Sequence, residues 1–243
     1  MNRTITVQEL AVVIATQGQN PGILNLDFLK YSGIVPADWS LARDPVYTQQ
    51  VVQLAFQNGM VITAEPNRIL MAEMVEGKAT TDILAPGMAR KLIDALPHME
   101  YQAIGLNPRG YVPFAGLPDH ARQYLTQTLI APGPWQDFGQ APVRATINFI
   151  YTLESGRLNL NISEAMMRRS ETEDLPVVVF SGSFNARLKA SEQTERRQEL
   201  HQNLDHWPTN LQTYTDLIND KFLSSTVAIP DALPNLFETI REM

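Results

Sequence analysis

Four histidines are the natural starting point for metal or proton-transfer chemistry in this 243-residue chain. His98 and His120 stand alone, at a helix end and in a loop. His201 and His206 fall five apart in one helical region, whereas paired ligands on a helix face sit three or four apart, and no HExxH occurs. His201 and Asp205 have the spacing of a side-chain pair, read as a solvated contact rather than a metal site. No metal is assigned. The chain has no cysteine, which excludes disulfides, zinc-thiolate sites, iron–sulfur clusters and thiol catalysis.

Phosphate and nucleophile chemistry fare no better. There is no GxGxxG after a strand, no GxxxxGK[ST] and no GxSxG elbow. Phe180-Ser-Gly-Ser-Phe184 has the outline of a serine centre but sits inside an alternating strand pattern, so it reads as sheet with a glycine bend. Glu73 and Glu76, and Glu171, Glu173 and Asp174, flank strands in the manner of loop charges. No catalytic residue and no cofactor is assigned, and the reading leans away from an enzyme.

Two stretches keep side chains suited to binding. In QAIGLNPRGYVPFAGLPDH (102–120), Asn107-Pro108-Arg109-Gly110 matches a turn: proline fixes φ and glycine relieves strain where the chain doubles back. Residues 111–114 then continue as an edge strand, where proline is tolerated. A guanidinium beside an aromatic is a frequent anion or partner contact, so Arg109 and Tyr111 are candidates, with His120 at the stretch's end. The second stretch, APGPWQDFGQAP (131–142), carries Trp135 and Phe138 on a long Pro/Gly-rich loop. Both aromatics are expected to staple that loop to the core; Trp135 as an exposed partner anchor is the other reading.

Composition narrows the partners. With 26 acidic and 19 basic residues the net charge is −7, the wrong balance for a phosphate-neutralising surface. Arg168-Arg169 and Arg196-Arg197 are flanked by acids and read as solvated surface. No nucleic-acid partner is expected. The apolar run at 10–15 is too short for a membrane span and lacks the setting of a signal peptide, so neither membrane nor export is expected. A soluble, cytoplasmic protein is the default reading. With 44% apolar residues the chain can bury a large core.

The elements that must carry these residues follow from periodicity. Thr6 and Glu9 fit a capping box, and Val7, Leu10, Ala11 and Ile14 share a helical face; Val12-Val13-Ile14 argues for a strand instead. The helix is preferred. Residues 23–35 read as a strand ending before Pro36. Alternation on both sides of Asn58-Gly59 predicts a hairpin with a type I′ turn, followed by a strand at 69–75. Residues 82–96 switch to a helical stripe through Leu84, Met88 and Leu92. A strand at 100–106 and a helix at 118–130 follow. Strict alternation at 143–153 and 158–162, turning at 154–156, gives a second hairpin, and 177–188 a further strand. Ser191 opens a long helical region through Leu200, Leu204 and Trp207, which Pro208 either kinks or restarts. One more turn or two is expected at 234–242, through Leu236, Phe237 and Ile240.

The expected class is therefore α+β: antiparallel sheet built from two hairpin–strand–helix halves, with amphipathic helices on one side. One domain over 1–243 is expected, with similar halves at about 22–114 and 118–224. FLKYSGIVPADW (28–39), FQNGMVITAEPNR (56–68), GLNPRGYVPF (105–114) and PGPWQDFG (132–139) resemble a set of uncharacterised cyanobacterial proteins of similar length. That similarity runs from the N-terminus to about Phe222. The layout is also similar to a sporadic bacterial family of unknown function, with strands first and a long C-terminal helix. Neither resemblance implies an activity, so no residue role is transferred. Two functions stay open: a non-enzymatic assembly or protein-interaction module that uses its sheet edges for self-association or another protein, or a small-molecule site around 107–120 and 131–142.

Overall fold

The computed structural model describes residues 3–114, 119–154, 156–168 and 174–224. Its centre is one antiparallel sheet of nine strands: β1 (Thr6–Thr16), β2 (Val46–Tyr47), β3 (Val52–Ala55), β4 (Met60–Glu65), β5 (Arg68–Met74), β6 (Tyr101–Pro113), β7 (Thr146–Leu153), β8 (Gly156–Arg168) and β9 (Asp174–Arg187), in the order β2-β3-β4-β5-β1-β6-β9-β8-β7. The helices are α1 (Leu26–Tyr31), α2 (Ala85–Ala95), α3 (His120–Gln123), α4 (Gln193–Asp205) and α5 (Trp207–Asp216). α3 and α5 run on into π-helical turns at Tyr124–Leu129 and Leu217–Leu223. The α+β class with antiparallel sheet stands.

The N-terminus is a strand, not the preferred helix. β1 lies in the middle of the sheet, between β5 and β6. Leu10, Ala11, Val12 and Ile14 are all buried there, so the continuous apolar run reflects a strand covered along much of its length rather than a helical stripe. Residues 23–35 depart in the opposite direction. Asn20 Oδ1 accepts from Gly22 N at 3.0 Å to open a short 3₁₀ turn, and Asn25 Oδ1 accepts from Phe28 N at 2.9 Å to cap α1. Two asparagine caps in succession outweigh the apolar run between them.

The turn expected at 107–110 does not exist. Those residues belong to β6, thirteen residues long and central, with β1 on one side and β9 on the other. Residues 111–113 are accordingly not an edge strand. Pro108 is tolerated because the β6–β9 ladder lapses at Asn107 and Pro108, between the pairs Leu106–Phe184 and Arg109–Ser181, where proline has no N–H to give. At the first hairpin, Asn58 has no positive φ and Gly59 alone does, at 83°. Gly59 N donates to Phe56 O and Phe56 N to Met60 O. The connection is thus a three-residue turn ending in a left-handed glycine, not type I′.

Side-chain alternation sorts the sheet into two faces. Leu10, Val12 and Ile14 of β1, Ile62 of β4, Met71 of β5, Leu106 of β6, Phe180 of β9 and Leu160 of β8 lie on one face and are buried. α2 packs over β1 and β5, α4 and α5 over β6, and α3 over β8 and β9 on that face. Pro208 restarts the chain as the first turn of α5 rather than kinking one helix. The two sides of the β1–β6 seam have similar connectivity: a central strand, a short helix, a run of antiparallel strands (four after β1, counting the two-residue β2, and three after β6), and a helix returning over the seam. The expected turns at 234–242, Ser155 of the 154–156 turn, Pro118, and Arg169, Glu171 and Glu173 of the charged loop lie outside the described residues.

Candidate functional site

Among the described residues the opposite face of the sheet carries no helix, and its two halves differ in chemistry. On β4, β5 and β1 it presents Val61, Leu70, Ala72 and Val13, with Thr63 beside them and the Glu65–Arg68 ion pair at the end of the row. On β6, β9, β8 and β7 it presents amides, hydroxyls and guanidiniums in cross-strand rows, with the exposed Ile150 of β7 beside Asn159. Arg109 stands opposite Ser181, which stands opposite Asn161 and then Asn148. In the next row Asn107 neighbours Ser183, itself opposite Asn159. Beyond that, Asn185 is opposite Arg157. On the β1 side Arg109 has Glu9 as its register partner.

Asn107, Arg109, Asn148, Asn159, Asn161 and Ser183 line a shallow groove of about 330 Å³ with Glu9 at its β1 side, while Arg157 and Asn185 lie beyond it, beside a smaller cavity that Trp207 also lines. Part of the groove is already ordered by hydrogen bonds: Asn185 Nδ2 donates to Ser183 Oγ at 2.9 Å, and Ser183 Oγ donates to Asn107 Oδ1 at 2.9 Å. Arg109 forms no ion pair among the described residues, and neither do Arg157 and Arg187, which share the open face.

Arg109 is the one sequence candidate in this groove. Tyr111 lies two residues along on the same face, half-buried, and its hydroxyl donates to Glu76 Oε1 at 3.0 Å. His120 opens α3, on the helix-covered side. Trp135 sits on a 3₁₀ turn at Pro134–Asp137, where Gln136 Nε2 donates to Thr126 O at 2.7 Å. Trp135 is 41% and Phe138 88% exposed, so the loop is held by this amide and not stapled by its aromatics. The four candidates do not converge.

Two acid and base residues play parts that sequence spacing hid. Glu73 is no loop charge: it is buried on β5, its Oε2 accepting from Leu84 N at 2.7 Å and Ala85 N at 2.8 Å, and its Oε1 from Lys78 Nζ at 2.8 Å. It caps the start of α2 from the sheet, since no side chain of that helix's own does so. His201 does not pair with Asp205. Its Nε2 bonds Asp94 of α2 at 2.9 Å, and Asp205 bonds Arg90 of the same helix, so both bonds join α2 to α4. Among the described residues no three His, Asp or Glu side chains gather as a metal-ligand set. No helix among them is long and apolar enough to cross a membrane.

The sheet's two edges also differ. β2 has two residues. β7 has eight, TINFIYTL, without charge or proline. Ile147, Phe149, Tyr151 and Leu153 are only half-buried on its helix side, and Ile150 on the open side is 61% exposed. Phe149 packs edge-to-face on Phe222, ring centres 5.4 Å apart.

No protein-family model matches this chain, and no curated protein matches it.

Proposed function

We propose that this protein is a non-enzymatic assembly module that self-associates by pairing β7 with β7 of a second copy. The observation that carries this reading is the edge itself: eight residues with none of the devices that keep edges apart, namely charge, proline, bulge or brevity. Pairing about a two-fold axis at Ile150 sets Phe149 against Tyr151 and Ile147 against Leu153 of the other copy. Half-exposed apolar side chains thereby meet their own kind on the same face. The absence of charge in the strand leaves nothing to repel across the axis. The similar connectivity about the β1–β6 seam further supports reading the chain as two related units, with β1 in the first and β6 opening the second rather than the expected bounds of about 22–114 and 118–224.

Sedimentation equilibrium tests the pairing. A dimer at micromolar concentration is expected, and Ile150→Lys, which changes an exposed side chain and sets two ammonium groups face to face, should return it to monomer. A wild-type chain that stays monomeric, or a dimer indifferent to Ile150→Lys, would overturn it.

A further inference from the structure

Asparagine is among the residues that strands least favour, yet Asn107, Asn148, Asn159, Asn161 and Asn185 all lie on one face of four adjacent strands. An open sheet face needs only to be polar, and Thr, Lys or Glu would serve that need at lower cost in strand propensity. The other half of the same face does use ordinary strand residues. Departures from local preference that cluster on one surface mark function.

The charge on that surface is equally uneven. On the open face of β6, β9, β8 and β7 the described residues include Arg109, Arg157 and Arg187 and no carboxylate, in a chain of net charge −7. Two acids stand at the border of this face among the described residues: Glu9 of β1, which lines the groove beside Arg109, and Glu76, which accepts from the Tyr111 hydroxyl; neither forms an ion pair with Arg109. Guanidiniums without partners fit the planar oxygens of an anion. Arg109 and Arg157 are two strands and four residues apart, on the order of 16 Å, so a ligand engaging both is an extended chain.

We propose that this face binds an acidic oligosaccharide of the uronate class, its carboxylates on Arg109 and Arg157 and its hydroxyls on the asparagine amides between them. A primary amide offers donor and acceptor together, as a sugar hydroxyl does, so each complements the other. A nucleic-acid strand suits the surface less well. It has phosphate acceptors that leave the amide oxygens unmatched, and no aromatic lines the groove for its bases to stack on. A compact apolar ligand finds only Ile150 at the β7 side and no enclosing apolar pocket. The site is complete within one chain and does not depend on β7 pairing.

Isothermal titration of the full chain with short oligogalacturonates tests this. Three comparison probes accompany it: the same oligomers with carboxylates methyl-esterified, polyglutamate, and a single-stranded oligonucleotide. Oligogalacturonate should bind and the other three should bind at least about tenfold more weakly. Arg109→Ala and Asn159→Asp, both on solvent-facing positions, should each weaken it about tenfold with an unchanged melting temperature. No binding of oligogalacturonate, equal binding of any comparison probe, or indifference to both substitutions would each sink the assignment.

Discussion

The Tyr214 hydroxyl of α5 donates to the Phe180 carbonyl of β9 at 2.8 Å, reaching the sheet over Gly182. A Cβ at Gly182 would stand 2.9 Å from Tyr214 Cδ2 and 3.1 Å from Pro108 Cγ. The glycine on β9 and the proline opposite it on β6 thus mark a dip in the sheet where the ladder lapses, and the buried tyrosine fills it. The Phe180-Ser-Gly-Ser-Phe184 string that has the outline of a serine centre is the seat for a helix.

Gly182→Ala should therefore destabilise the fold by about 1–3 kcal/mol, the range for forcing extra volume into packed surroundings. Tyr214→Phe keeps the ring and loses only the hydrogen bond, at about 1 kcal/mol. Urea midpoints of the two variants check the order. A Gly182→Ala protein as stable as the parent would show that α5 is not seated there.

Stability should fall in alkali. Burial raises the phenols of Tyr101, Tyr124 and Tyr214 above the ordinary value of 10.0, with Tyr124 pushed up to about 12. Each hydroxyl donates to a carbonyl, Tyr101 to Leu96, Tyr124 to Phe222 and Tyr214 to Phe180, which a phenolate is unable to do. Above pH 10 the unfolded chain sheds protons that the folded chain keeps, so stability is full below that value and declines as pH climbs through about 12. Urea midpoints from about pH 8 to about 12 should trace the loss, and Tyr124→Phe should make it shallower. A flat profile would contradict the burial of these rings.

Strands whose two faces differ were legible in the sequence. Alternation placed β3, β4, β7, β8 and β9, and β5 followed as the apolar run after the hairpin. β1 was not, because a central strand with apolar residues on both faces loses the period-two signal and leaves Thr6 and Glu9 to suggest a helix. The 107–110 segment misled for a related reason: proline and glycine signal a turn locally, and only the lapse opposite Gly182 makes them acceptable in mid-sheet. Arg109 could be singled out as a guanidinium beside the aromatic Tyr111, although the turn expected to present it does not exist. Its neighbours Ser181, Asn161 and Asn148 could not, since they come from three other strands and their adjacency depends on strand order. The one available signal was asparagine recurring at 148, 159 and 161 within strand-like runs.

Glu73 should rank among the most sensitive polar positions. Its carboxylate closes two backbone N–H groups at the start of α2 and meets Lys78, and the side chain is 1% exposed. Glu73→Ala leaves those donors and a partly covered ammonium without a partner, a loss of about 3 kcal/mol. Glu73→Gln retains the shape and one acceptor oxygen and should cost about half as much. Chemical denaturation gives both values, and hydrogen exchange should show fraying first at residues 84–88. Equal, small losses for the two variants would mean that water replaces the carboxylate.

The α2–α4 contact should behave in the contrary way. Arg90 pairs with Asp205, and both are substantially exposed, at 39% and 68% of their side-chain surface. Water and salt screen such a pair, and holding two long side chains still costs entropy. Arg90 also donates to the His201 carbonyl at 3.2 Å, so Arg90→Ala removes more than the ion pair. A double-mutant cycle with Asp205→Ala separates the two contributions, and the coupling energy should be no more than about 1 kcal/mol and shrink further in high salt. Lys at 90 keeps the charge but lacks the fork that reaches carbonyl and carboxylate together, so Arg90→Lys should recover only part of the loss. A coupling of several kcal/mol that survives high salt would place this pair, rather than the apolar seam beneath it, in charge of holding the two helices together.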